Sequence, residues 1–270
     1  MHDPALGYRG LGQLDELSLA DSPVHRIDPR VKLVTFMTFA VCIVSFPKYE
    51  VARLAPYTLF LAFILPLARV PFTLVAAKVA LVLPLALLTA AFNPFYDRQP
   101  VVTVFDLPVT GGMISFVSII VKFVLTAAGA VTLVAVTGFN DLCAAMGRLG
   151  VPNVLTTQLL LLHRYLFTLS AEAAHMRRAR DLRSPGTDAH GIRTASAVLG
   201  HLLLRTYARA ERIHLAMLSR SWRGDILPHR SFRSRPADWV FCVLTCALFI
   251  AWRVMDMTSA LGSLALGVLG

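Results

Sequence analysis

The sequence predicts an all-α integral membrane protein of about five transmembrane helices, with two long cytoplasmic helices placed before the last of them. Three observations carry that prediction. The 270 residues are 56% hydrophobic and 16% charged, with a mean hydropathy of +0.63. A soluble domain is about 45–50% apolar and about 25% charged, so lipid must be the solvent for much of this chain. The apolar residues fall into separate runs near the length of a bilayer crossing. The 26 Lys and Arg against 16 Asp and Glu are unevenly spread, with 15 of the 26 between residues 138 and 237. Disordered, collagen-like and disulfide-scaffold classes are excluded, because Gly and Pro are near average and four Cys is sparse.

Residues 1–30 are polar and hold no apolar run that would serve as a signal peptide, so the internal spans are expected to direct insertion. The first run, 31–46, is introduced by Asp28-Pro29, an N-cap acceptor followed by a proline suited to the first helical turn. It is short for a crossing, and Arg30 and Lys32 are expected to snorkel and lengthen it. Runs at 54–68 and 74–92 follow, separated by an Arg69-Val70-Pro71 turn. Pro84 is expected to bend the third helix, and Asn93-Pro94 ends it. Residues 96–112, rich in Pro and Gly with alternating Val, Thr and Phe, read as a loop containing a short hairpin. The fourth run, 113–137, is interrupted only by Lys122. Beyond the basic stretch, 239–252 is a fifth run with a Trp at each end, and the weaker tail 259–270 makes a sixth span if it crosses.

Basic residues accumulate on the cytoplasmic side. That rule places 138–237 in the cytoplasm and, with four spans before it, the N-terminus as well. The chain then divides into a cytoplasmic segment 1–30, a four-helix membrane part 31–137, a basic cytoplasmic region 138–237, and a membrane segment with its tail at 238–270. The net charge of +10 is thereby accounted for without nucleic acid. Two helices of roughly thirty residues fit the basic region. One runs from Pro152 to about Arg183, stopped by Ser184-Pro185-Gly186, and the other from Thr187 or Asp188 to about Trp222. Arg205, Arg209 and Arg212 stack on one face of the second. Arg180 and Arg220 each stand at the C-terminal end of a helix, where a guanidinium complements the helix dipole or reaches a carboxylate on a partner. Periodicity alone does not choose between these roles.

The stretch Val24-His25-Arg26-Ile27-Asp28-Pro29-Arg30-Val31-Lys32-Leu33 resembles the opening of the transmembrane T component of energy-coupling factor (ECF) transporters. The stretch Arg164-Tyr165, Leu169, Glu172, Met176, Ala179-Arg180 and the stretch Glu211-Arg212, Ala216-Met217, Ser219-Arg220-Ser221, Gly224 resemble that family's two signature regions. Within it the chain is most similar to the cobalt/nickel branch, the CbiQ family. The resemblance implies a non-catalytic scaffold whose two coupling helices each carry an Ala-Arg-Gly motif, the arginine docking in an ATP-binding cassette ATPase. Carried over, the motifs are Ala179-Arg180-Asp181 and Ser219-Arg220-Ser221, both keeping the arginine and losing the glycine. It further implies a separate metal-capturing membrane subunit, a small accessory membrane subunit, and a place in a bacterial inner membrane. A T component for vitamin import is the nearest alternative.

No metal or cofactor site is expected. Cys242 and Cys246 share a helical face with no His or carboxylate to complete a ligand set, and the histidines of the basic region are dispersed. Lys122, deep in a span, is a candidate contact with the capture subunit. No G-x-x-x-x-G-K-[ST] occurs, so ATP is not held here in that way. The rival class, a polytopic enzyme acting on lipid diphosphates, needs paired intramembrane aspartates that the spans lack.

Overall fold

A computed structural model describes residues 15, 17–18, 20–48, 50–96, 100–104, 107–183, 192–222, 224 and 235–254. The described residues within 15–138 and 235–254 form one compact unit, and those within 139–224 form another.

In the first unit five predicted apolar runs become helices: α1 Pro29–Ser45, α2 Ala55–Leu67, α3 Phe72–Ala91, α4 Gly111–Thr137, and α8 Pro236–Val254, the last helix among the described residues. The Asp28 carboxylate accepts from the Arg30 backbone N–H at 3.0 Å and Pro29 occupies the first turn, so α1 starts where its cap residues place it. Pro84 lies inside α3, and a single helical turn, Asn93–Tyr96, follows that helix. The loop expected at 96–112 holds an antiparallel hairpin, Pro100–Val104 against Leu107–Thr110, with an irregularity between Pro100 and Val102.

Helices α3, α4 and α8 are long and apolar enough to cross a membrane. The other two runs stop short. Helix α1 has 17 residues, and Val51–Leu67, a 3-10 turn leading into α2, is also among the shorter apolar segments. Seventeen residues reach about 25 Å, against a hydrocarbon core of about 30 Å. The tail 259–270 lies outside the described residues.

An aromatic cluster holds the unit together. Tyr57 and Phe249 are completely buried and stacked at 5.8 Å, and Phe39, Phe60 and Trp252 close around Phe249. The Tyr57 hydroxyl donates to the Phe249 carbonyl at 2.8 Å, pinning α2 to α8 in a medium where an unmet polar group is expensive. Gly129 of α4 lets Phe36 and Phe39 of α1 approach, because a Cβ there would stand 3.0 Å from Phe39 Cε1. Meanwhile Leu59, Phe63, Leu81 and Val243 are each more than 60% exposed, the outward coat of a unit solvated by lipid chains.

Three cations of this unit, Lys32, Lys122 and Arg253, are turned onto backbone carbonyls. Lys32 is 9% exposed, and its ammonium donates to the His25 carbonyl at 3.1 Å and to the Val136 carbonyl at 3.3 Å. The snorkelling expected of Lys32 is therefore corrected: a positive charge beside the C-terminal carbonyls of α4 is held by the helix dipole and by direct hydrogen bonds. Lys122 of α4 donates to the Phe46 carbonyl at 2.5 Å, and Arg253 of α8 donates to the Ser45 carbonyl at 3.1 Å while lying over the Phe46 ring. Two cations thus cap the C-terminus of α1.

Candidate functional site

The second unit is built around two long helices, α6 Asn153–Arg183 and α7 Ile192–Ser219, preceded by the short α5 Phe139–Arg148. Helix α5 braces the first half of α6. Phe139 stacks on His163 at 4.5 Å, Phe167 meets the same ring edge-on at 5.2 Å, and Gly147 lies close to Thr156. Cys143 is buried beneath, and burial pushes its thiol up to about 11, so at neutral pH it is an inert packing group. The α5–α6 turn closes with Val151 donating to the Met146 carbonyl and Gly150 to the Gly147 carbonyl, Gly150 adopting φ 100°. That is a helix end of the Schellman type, with glycine at the left-handed position.

Helix α7 ends in the same way without a glycine. Trp222 donates to the Met217 carbonyl at 3.0 Å and Ser221 to the Leu218 carbonyl at 3.0 Å, and Ser221 takes φ 58°. Arg220 is the cap residue of this turn and is exposed. Ser219 returns its hydroxyl to the Leu215 and Ala216 carbonyls, so it closes the last turn and leaves the neighbouring guanidinium as the projecting group. The chain beyond is anchored, since the buried Thr157 hydroxyl of α6 donates to the Gly224 carbonyl at 3.0 Å. Arg220 is therefore presented by a turn fixed at both sides. Arg180 is carried differently: it is half-buried within the last helical turn of α6, between exposed Ala179 and Asp181.

Two contacts set the direction of the pair. Thr157 near the start of α6 meets Gly224 beyond the end of α7, and Glu172 makes a 2.7 Å salt bridge with Arg205 at mid-helix. The helices are antiparallel. Arg180 lies eight residues past Glu172 and Arg220 fifteen past Arg205, in opposite directions. At 1.5 Å per residue the two motif arginines stand about 35 Å apart, at opposite ends of the pair.

Spacing alone signalled neither the Glu172–Arg205 bridge nor the Thr157 anchor, because each joins residues distant in sequence. Arg205, Arg209 and Arg212, expected on one face, do line one groove, together with Glu172, Ile213 and Ala216. Among the described residues no group of three His, Cys, Asp or Glu side chains lies close enough to hold a metal ion. Cys242 and Cys246 instead face hydroxyls of α1: Thr35 donates towards the Cys242 sulfur and the Cys246 thiol towards Thr38.

The sequence profile of CbiQ, described as cobalt transport protein, matches residues 20–230. Over 236 residues, 82% of this chain and 85% of the relative, the sequence is 26% identical to the energy-coupling factor transporter transmembrane protein EcfT of Thermanaerovibrio acidaminovorans. It is 33% identical over 106 residues to the cobalt transport protein CbiQ of Rhodobacter capsulatus, covering 39% of this chain and 42% of the relative. It is 29% identical over 120 residues to the nickel permease LarQ of Lactiplantibacillus plantarum, covering 43% of this chain and 44% of the relative.

Proposed function

This chain belongs to the CbiQ cobalt transport protein family, and from that premise we propose that it is the membrane-embedded coupling subunit, the T component, of an ATP-driven importer of cobalt or nickel. ATP is hydrolysed by partner ATP-binding cassette subunits, and the metal is taken up by a separate capture subunit with a small accessory membrane subunit beside it. The names of the cobalt and nickel relatives support a metal cargo over a vitamin. In this reading 31–137 and 238–270 are the anchor in a bacterial inner membrane, 138–237 is the coupling region, and 1–30 lies on the cytoplasmic side with the N-terminus. The capping bond of Lys122 to Phe46 means that a contact with the capture subunit at that residue is made through the closed end of α1.

The observation that carries the reading is the placement of Arg180 and Arg220 at opposite ends of one antiparallel pair. Two levers about 35 Å apart suit two ATPase subunits, each closing a carboxylate-bearing groove on one guanidinium. Closure of the ATPase dimer then draws on both ends of a pair locked at its middle by Glu172–Arg205. Replacing both arginines, Arg180→Ala with Arg220→Ala, is expected to abolish metal uptake and to weaken co-purification of the ATPase. Uptake at the wild-type level in that double variant discards the assignment.

A further inference from the structure

Between the two motif arginines lies a groove of about 420 Å³ lined by Arg205, Arg209, Arg212, Glu172, Ile213 and Ala216. Its charge is unbalanced. Glu172 pairs with Arg205, and Arg209 and Arg212 add two exposed guanidiniums one turn apart. Even the bridged Arg205 is 67% exposed. Such a row raises a local positive potential that attracts and orients an anionic partner.

Its position narrows the choice of partner. With Arg180 about 12 Å to one side of the Glu172–Arg205 bridge and Arg220 about 22 Å to the other, the midpoint of the span falls beside Arg209. Partners that grip both ends meet each other there. The helix also has a second face. Leu199, Leu203 and Tyr207 recur at i, i+4 and i+8 and are 63%, 70% and 73% exposed, on the side of α7 opposite the arginines. A helix of this pattern turns its leucines to an apolar environment and its arginines to water. The groove therefore faces the cytosol, where the ATPase subunits are.

We propose that the Arg205–Arg209–Arg212 groove is a third docking surface, taking an acidic segment presented where the two ATPase subunits meet. This rests on the T-component reading above. Glu172 occupies part of the groove in the free chain and competes with the incoming carboxylates for Arg205. The surface guides and orients the ATPase pair, and the end arginines transmit its motion.

The test uses the full chain in phosphatidylcholine nanodiscs and measures its association with the ATPase pair at low and high salt. Arg209→Glu with Arg212→Glu is expected to slow association about tenfold at low salt and to flatten the salt dependence. Arg209→Lys with Arg212→Lys, which keeps the charge, is expected to restore most of the rate, with thermal unfolding unchanged in both. Wild-type rate and salt slope in the Glu variant, alongside weakened binding in the Arg180→Ala, Arg220→Ala chain, overturn the groove and leave the end arginines standing. Failure of the unaltered chain to bind the ATPase overturns the T-component reading itself. A defect seen only in discs containing phosphatidylglycerol assigns the groove to lipid headgroups and overturns its role in ATPase docking.

Discussion

Three cations of the membrane unit and three of the other unit are held in opposite ways. In the membrane unit Lys32, Lys122 and Arg253 each donate to a backbone carbonyl at or near the C-terminus of a helix, over distances of 2.5 to 3.3 Å. In the unit of the two long helices Arg209, Arg212 and Arg220 project from α7 or its end and are exposed. A cation in lipid has no water to fall back on, so the fold must supply its partners and its place becomes part of the architecture. A cation facing water is already solvated, and an exposed one at a helix end can exchange that water for a carboxylate. The three cations of the first unit are built into its helix ends, and these three arginines of the second are left exposed to solvent.

The largest effect is expected at Lys32. Lys32→Met removes the donor shared by the His25 and Val136 carbonyls and is expected to destabilise the membrane unit by about 2 kcal/mol, read as a lower unfolding temperature in detergent. A lysine that merely snorkelled would show almost no change. Next comes the end of α7. Ser221 holds a left-handed φ of 58° at a position where Gly150 ends α5 with φ 100°. Ser221→Gly is expected to stabilise the turn by about 0.5 kcal/mol, the relief of strain exceeding the added freedom of the unfolded chain. Calorimetry should detect it, with Arg220 still presented and ATPase binding kept.

The smallest effect is at His25, just ahead of α1. Its Nε2–H donates to the Leu17 carbonyl at 3.0 Å while Nδ1 accepts from the Ser22 hydroxyl at 2.7 Å, an arrangement that needs the neutral ring. Burial lowers its pKa below 6.5, more than the Leu17 carbonyl raises it. With the folded value depressed, the unfolded state binds the proton first. The stabilisation is complete above pH 6.5 and is lost as pH falls through the folded value. His25→Gln, which keeps one donor and one acceptor, is expected to flatten the unfolding temperature between neutral and mildly acidic pH. An unchanged slope would place the pH sensitivity elsewhere.

Much of this was legible in the residues, and the boundary is physical. Asp28-Pro29 announces the start of α1, Pro152 the start of α6, and the apolar runs every spanning helix, because caps and hydropathy act over a few residues. The arginine row of α7 was legible for the same reason. Inward capping by Lys32 was not, since its acceptor Val136 lies 104 residues away. The Glu172–Arg205 bridge, which sets the pair antiparallel, joins two helices whose register no local pattern encodes. Ser221 stands where the resembled motif has a glycine. Its backbone keeps the left-handed turn that a glycine would favour, and only the dihedral shows it.

The division between structural and docking charge is tested most directly by placing a photo-crosslinking residue in turn at Arg180, Arg220 and Lys122, in the full chain expressed with its ATPase in membranes. ATPase adducts are expected from Arg180 and Arg220, a different ATPase subunit captured at each, and none from Lys122. Adducts from Lys122, or none from either arginine with the complex intact, would contradict that division.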